Sequence, residues 1–241
     1  ALLLHSGWGP HRSRPTGTGD VVASPPGALL DPMCGSGTIV IEAARMAAGI
    51  PPGLDLPPPF SGTAWETEAA EIWSCMKQEA RERSLEIIAT DKRLPVIMGS
   101  DRDRGAVNSA LSNAKRAGVS DLLRLEEVAI MNASWFAKRA TNDIPPGLLV
   151  VTNPPHGVRV SPPKRNDGRI RRNIPHLLPL YQTLGHRVNR IEHARATLLV
   201  RGGEGIRLAR RTGLDKLEVR FTTVHGGATV TALSNVDFSI I

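Results

Sequence analysis

The chain has 241 residues, a formal net charge of +7 and a pI near 10.1, so one large or two small domains are possible and a polyanionic partner is favoured. A hydrophobic share of 41% suffices for a real core, while aromatics at 4% leave the packing mostly to aliphatic side chains. Cys34 and Cys75 stand far apart without nearby histidine pairs, which excludes a zinc or disulfide framework and points to a reducing compartment; no apolar run reaches membrane-spanning length.

The opening ALLLHSGWGPH has neither a charged leader nor a small-residue cleavage site, so residues 1–26 read as a truncated lead-in with a short helical stub rather than a signal peptide. GALLDPM (27–33) is a short apolar strand ending in a glycine turn, and GTIVIEAARMAAG (37–49) follows with helical spacing, stopped by Gly49. IPPGLDLPPPF (50–60) holds five prolines and must be a stiff loop. Trp65, Ala69, Trp73, Met76 and Ala80 recur at helical spacing and predict an amphipathic helix over 63–83, with both tryptophans in the core. PVIMGSD (95–101) is a second strand, RGAVNSALSNAKRAG (104–118) a helix closed by Gly118, LLRLEEVAI (122–130) a third strand and GLLVVTN (147–153) a fourth. Residues 174–191 are helical with an irregularity at Pro179, and ARATLLVRG (194–202) is a fifth strand. Segments 216–224 and 228–238 flank Gly226-Gly227, a hairpin signal. Strand–helix alternation closed by a hairpin predicts an α/β fold with a mostly parallel sheet and helices on both faces. No repeat or second domain is visible.

Three features fall at strand ends. DPMCGSGT, Asp31 to Thr38, lies between a strand and a helix. Gly35 and Gly37 there can bring a ligand against the main chain, although an ordinary tight turn would use the same residues. It lacks the third glycine of a dinucleotide fingerprint and the Lys-Ser/Thr pair of a Walker loop. Asp101 ends the second strand, where a carboxylate can accept both hydroxyls of a ribose; a helix cap, by Asp101 or Asp103, is the plainer use. Asn153-Pro154-Pro155-His156 ends the fourth strand in a rigid turn able to present carbonyls and an amide to an exocyclic amine. An Asn-Pro turn that merely closes a strand is common. The order of the three puts them on one sheet edge, the edge where doubly wound folds bind ligands.

LLDPMCGSGTIVIEAARMAAGIPPGL, GSDRDRGAVNSALSNAKRAGV and VTNPPHGVRV resemble the class I, S-adenosylmethionine-dependent RNA guanine-N2 methyltransferases of the THUMP-associated group, with the nearest likeness to its RlmL-type large-subunit rRNA branch. The likeness runs from SGW near the start to the terminal hairpin. It implies a Rossmann-like, seven-stranded methyltransferase domain over 1–241, with the group's upstream RNA-binding domain expected to be absent. It puts Asp31, Pro32, Cys34, Gly35, Gly37 and Thr38 around the methionine part of S-adenosylmethionine and Asp101 on its ribose. Asn153 and the Pro154 carbonyl would hold the target amine, with Pro155 stiffening the turn. The sequence departs from the group twice. His156 stands where a tyrosine or phenylalanine normally stacks on the flipped base, and Ala129 where an acid meets the adenine amine, leaving Asn132 as the nearest polar substitute. The reading is methyl transfer to the N2 amine of an RNA guanine, with rRNA ahead of tRNA as partner, pre-ribosomal particles as a further one, and a ribosome-associated place in the cytoplasm or an organelle matrix. The alternative is a non-catalytic relative serving as an RNA-binding assembly factor. A third reading is transfer to another amine, such as adenine N6. No metal or membrane is expected.

PPKRNDGRIRRN (162–173) carries Lys164, Arg165, Arg169, Arg171 and Arg172 against a single acid, which suits either a solvated loop or one that tracks phosphates at the mouth of the site. His5, His11, His176, His186, His193 and His225 form no usable cluster in the sequence.

Overall fold

A computed structural model describes residues 1–9, 27–58, 62–90, 94–133, 147–156 and 175–236. In chain order the elements are α1 (Leu2–His5), β1 (Ala28–Asp31), α2 (Thr38–Ala47), α3 (Glu66–Thr90), β2 (Val96–Asp101), α4 (Arg104–Arg116), β3 (Leu123–Glu127), β4 (Leu148–Thr152), α5 (Leu178–Asn189), β5 (Arg195–Arg201), α6 (Gly202–Arg210), β6 (Glu218–His225) and β7 (Ala228–Ser234). Short 3-10 turns occupy Ser120–Leu122 and Pro175–Leu177.

The strands make one seven-stranded sheet in the order β3-β2-β1-β4-β5-β7-β6. The first five strands are parallel neighbours, and β7 runs antiparallel between β5 and β6. This is the expected α/β sheet with its C-terminal hairpin. Chain order reverses between β1 and β4, and the crevice beyond their carboxyl ends is where such sheets take ligands.

Strand alternation divides the core in two. Leu29, Leu149 and Val151 face Val40, Ala43 and Ala44 of α2, while Leu30, Leu148 and Val150 face Tyr181, Leu184 and Val188 of α5. Every residue of β4 is buried, as a central parallel strand requires. Truncating any one of these fully buried leucines to alanine would cost about 2–5 kcal/mol. The lead-in contributes as well: Leu3 and Trp8 join the α2 layer, and Trp8 Nε1 donates to the Ala43 carbonyl at 3.2 Å.

Three expectations need correction. Helix α6 was not foreseen, because Gly202, Gly203 and Gly205 argue against a helix. It forms because Leu208 and Ala209 are buried against the sheet, and Gly205 serves contact: a Cβ there would lie 3.0 Å from Val200 Cβ. Helix α3 is longer than its periodicity suggested, and it is not amphipathic. Trp65 is 67% exposed and Met76 54%, Trp73 is half-buried with Nε1 donating to the Leu56 carbonyl, and Ser84 is the one buried residue of the helix. Its tryptophans are therefore not core residues. Pro179 causes no break; it sits in the first turn of α5, where a missing N–H leaves no bond unmade.

Candidate active site

The glycine loop is held from two strands. Cys34 N–H donates to the Ser100 carbonyl at 2.9 Å, Gly35 N–H to Asp101 Oδ2 at 3.0 Å, and Asn113 Nδ2 of α4 to the Ser36 carbonyl at 2.9 Å. Gly37 caps α2 in the left-handed region at φ +85°, and a Cβ on it would lie 3.0 Å from Ala110 Cβ. Both facts demand glycine. The space a Cβ would take at Gly35 is empty to 4 Å. No side chain caps α2, so its first N–H groups, at Thr38 and beyond, stay open for an anionic group.

Asp31 is buried at the end of β1. Its Oδ1 accepts from Thr152 Oγ1 at 2.7 Å and from Met33 N–H at 3.2 Å. Burial, only partly offset by these bonds, pushes its carboxyl up to about 7. Burial together with Asp31 and Asp101 pushes the Cys34 thiol up to about 12, so it is an inert neutral group. Asp101 is not the helix cap: Asp103 caps α4, its side chain accepting from Ala106 N–H at 3.1 Å. Asp101 instead takes Gly35 N–H on one oxygen and Asp103 N–H on the other, which fixes its carboxylate at the rim of a cleft.

That first cleft measures about 610 Å³. Pro32, Met33, Asp101, Ala129, Ile130 and Leu180 wall it, with Asn153 and Pro155 at one end. Asn132 is exposed and does not line it; its N–H donates to the Ala129 carbonyl at 2.8 Å. Of the predicted site residues the structure thus brings Pro32, Asp101, Asn153 and Pro155 to this cleft, while Asp31, Cys34, Gly35, Gly37, Thr38 and Asn132 do not line it. His176 also lines this cleft, a placement the sequence did not give.

A second cleft of about 400 Å³ opens on the other side of the turn. His156 lines it, together with Arg201, Phe221, Thr223 and His225 from the C-terminal half of the sheet. Asn153 lines both clefts. Its side chain and the Pro154 carbonyl have no hydrogen-bond partner among the described residues. Pro154 is buried, and the carbonyl of Pro155 meets the hydroxyl of fully buried Tyr181 at a long 3.5 Å. Tyr181, the chain's single tyrosine, was read only as part of a helix; it braces the turn from below. His156 is half-buried, and its Nδ1 is enclosed with no partner among the described residues. Burial and the charge of Arg201 hold its imidazole below the ordinary histidine range. His5 stacks obliquely on Phe221, centroids 4.9 Å apart. Histidines that formed no cluster in the sequence therefore do gather here. Lys164, Arg165, Arg169, Arg171 and Arg172 lie outside the described residues. Among those residues, no group of three or more His, Cys, Asp or Glu could hold a metal ion, and no helix is long and apolar enough to cross a membrane.

Residues 23–203 match the UPF0020 family, described as the RMKL-like methyltransferase domain. The chain belongs to this family. Among similar proteins, the ribosomal RNA large subunit methyltransferase K/L of Syntrophotalea carbinolica is 36% identical over 189 residues, 78% of this chain and 22% of that protein. The protein of the same name from Methylococcus capsulatus is 34% identical over 79% of this chain and 21% of its own length. This RMKL-like domain thus spans about a fifth of the curated relatives it matches. A solved structure of a predicted N6-adenine-specific DNA methylase from Listeria monocytogenes superposes with a TM-score of 0.58 at 23% identity, covering 85% of this chain and 46% of that one. That of SMU.472, named as a methyltransferase complexed with SAH, gives 0.64 at 23%, covering 86% and 47%. At such identities these two speak for the RMKL-like fold alone.

Proposed function

We propose that this chain transfers a methyl group from S-adenosylmethionine to the exocyclic N2 amine of a guanine in RNA, with large-subunit rRNA as the substrate. The observation that carries the reading is the position of Asn153, which lines both clefts at once. The names of the K/L relatives supply the class of RNA.

The first cleft suits the cofactor. Its volume suits the cofactor as a whole, the Asp101 carboxylate at its rim fits a ribose and the apolar faces of Ile130 and Leu180 an adenine, while the N–H groups of α2, which do not line it, would take a methionine carboxylate reaching past Pro32. Asp101 and Asp103 outnumber Arg102 along its wall, an acidic balance that suits a sulfonium. With Asn132 outside the cleft, the chain beside Ala129 and Ile130 is left to meet the adenine. When bound, the cofactor supplies an electrophilic methyl.

The remaining work belongs to the turn. A guanine amine is a poor nucleophile because its lone pair is delocalised into the ring. Asn153 Oδ1 and the Pro154 carbonyl accept its two N–H groups and favour a pyramidal nitrogen whose lone pair points into the first cleft. Alignment and fixed dipoles lower the barrier, and no strong base is needed. Tyr181 and the two prolines keep these acceptors from relaxing toward water. His156, held neutral, offers a flat face to the extruded base from the second cleft.

Tritium transfer from labelled cofactor into large-subunit rRNA lacking the modification tests the reading, with the labelled nucleoside identified after digestion. Label in N2-methylguanosine is expected. Label in another nucleoside contradicts the proposed base. RNA binding without transfer contradicts the enzyme and favours an assembly factor.

A further inference from the structure

The floor of the second cleft is one face of the antiparallel half of the sheet. Leu199 and Arg201 point there from β5, Val230 from β7, and Phe221, Thr223 and His225 from β6. Register makes this possible: Val230 is the neighbour of both Arg201 and Thr223, and alternate residues of a strand share a face. Arg201 is exposed into this cleft, and no carboxylate or carbonyl engages its side chain among the described residues. A free guanidinium beside a flat imidazole and an aromatic ring is an unusual item of equipment for a bare sheet face. It needs an anionic or acceptor-rich ligand.

The chemistry of the purine edge says which. In a guanine whose 2-amino group sits at Asn153, O6 and N7 lie on the opposite side of the ring, pointing into the second cleft. Those two adjacent acceptors match the two parallel donors of a guanidinium. An adenine entering with its N6 amine at Asn153 would turn N3 outward, a lone acceptor beside the sugar. The geometry points to Arg201 as the residue that selects the base, by gripping the O6/N7 edge of a guanine while Asn153 holds its 2-amino group. This rests on the proposed role of Asn153 and extends it from the reacting amine to the far edge of the same base. His156 and Phe221 then flank the ring, and Arg201 reads it.

Binding of GMP, AMP and 2-aminopurine ribonucleoside monophosphate to the 241-residue chain tests this, measured by ligand-observed NMR titration. All three carry the same phosphate, so their affinity ratios report on the base alone. The native chain should favour GMP over AMP by roughly tenfold or more, since a good bidentate pair discriminates by about that much. The 2-aminopurine nucleotide, which keeps the 2-amino group and N7 but lacks O6, should fall between. Arg201→Met should bring the GMP:AMP ratio to near one, and Arg201→Lys should recover only part of it, because a point charge lacks the fork. Among the described residues Arg201 has no partner to lose, so both variants should melt as the native chain does. Three results overturn the assignment: no GMP preference in the native chain, a preference unchanged in Arg201→Met, or an equal weakening of all three ligands, which marks a phosphate contact. Failure of the methyl-transfer reading is separable. An Arg201-dependent GMP preference in a chain that transfers no label to RNA leaves the base assignment standing and removes the enzyme.

Discussion

The two clefts that meet at Asn153 are built by opposite halves of one sheet, and they differ in character. The first belongs to the parallel half, β1 to β4, and the charged side chains lining it are the carboxylates of Asp101 and Asp103 with Arg102 between them in sequence. The second belongs to the antiparallel half, β5 to β7, and its equipment is a guanidinium, imidazoles and a phenyl ring. An acidic chamber suits a cationic donor; a basic, aromatic one suits a nucleobase on a polyanion. On the proposed reading, the contrast teaches that the two partners are divided by strand direction, with Asn153 on the border.

Substitutions can break that division one chamber at a time. The largest effect is expected from Asn153→Ala, which touches both. It should lower kcat for label transfer by about 10²–10³-fold, the usual loss for a group that acts as the transition state forms, while the melting temperature holds. A loss confined to KM would show that Asn153 only binds. Asp101→Ala should affect the first chamber alone. Losing a charged acceptor should weaken S-adenosylmethionine binding by about 10–100-fold in calorimetry. RNA affinity should stay as it was, and a parallel loss there would mean the two chambers are not distinct.

His156 sharpens the second chamber. His156→Ala should reduce transfer about tenfold, within the 1–3 kcal/mol that base–aromatic stacking supplies, and leave cofactor affinity unchanged. His156→Tyr should match or exceed the native rate. Equal rates in His156→Ala and the native chain would remove the stacking role.

The smallest effects concern pH. Asp31 has its carboxyl raised from 3.8 to about 7 by burial, so the stability linked to its proton is complete below the unfolded value and is lost as pH rises through about 7. His156 has the opposite sign. Its folded value is lowered, so its contribution is present above 6.5 and is lost as pH falls through the folded value. Asp31→Asn keeps an oxygen for Thr152 and Met33 and should flatten the rise in melting temperature expected on acidifying from about 7 toward 4. His156→Tyr should flatten the fall below 6.5. A profile unmoved by Asp31→Asn would show that the buried carboxyl is not the titrating group.

The first chamber was largely legible in the sequence, and the second was not. GALLDPM, PVIMGSD and GLLVVTN are apolar runs bounded by glycine or aspartate, and each became a strand carrying its polar residue at the end. Local signals sufficed because each ligand-facing residue follows its own strand directly. The second chamber draws Leu2, Arg201, Phe221 and His225 from distant parts of the chain. Arg201, Phe221 and His225 meet only through the antiparallel register of β5, β7 and β6, which no local pattern encodes. Helix α6 was hidden for a related reason: Gly205 is dictated by Val200 above it, and helix propensity weighs only the segment itself. In α3 the error ran the other way, since helical spacing of Trp65, Trp73 and Met76 says how they line up and nothing about whether another element covers them. Asn132 lies outside the first cleft because the chain turns at Ile130–Asn132 and leaves it exposed.

Asn153 has one more consequence. A residue that borders two cavities can couple two binding equilibria. The rotamer chosen by an occupant on one side is the rotamer the other occupant meets. Whatever factor the donor adds to the affinity for the base, the base must return to the donor, because the cycle closes to zero free energy. On the proposed reading, donor and base are thereby coupled through a single amide.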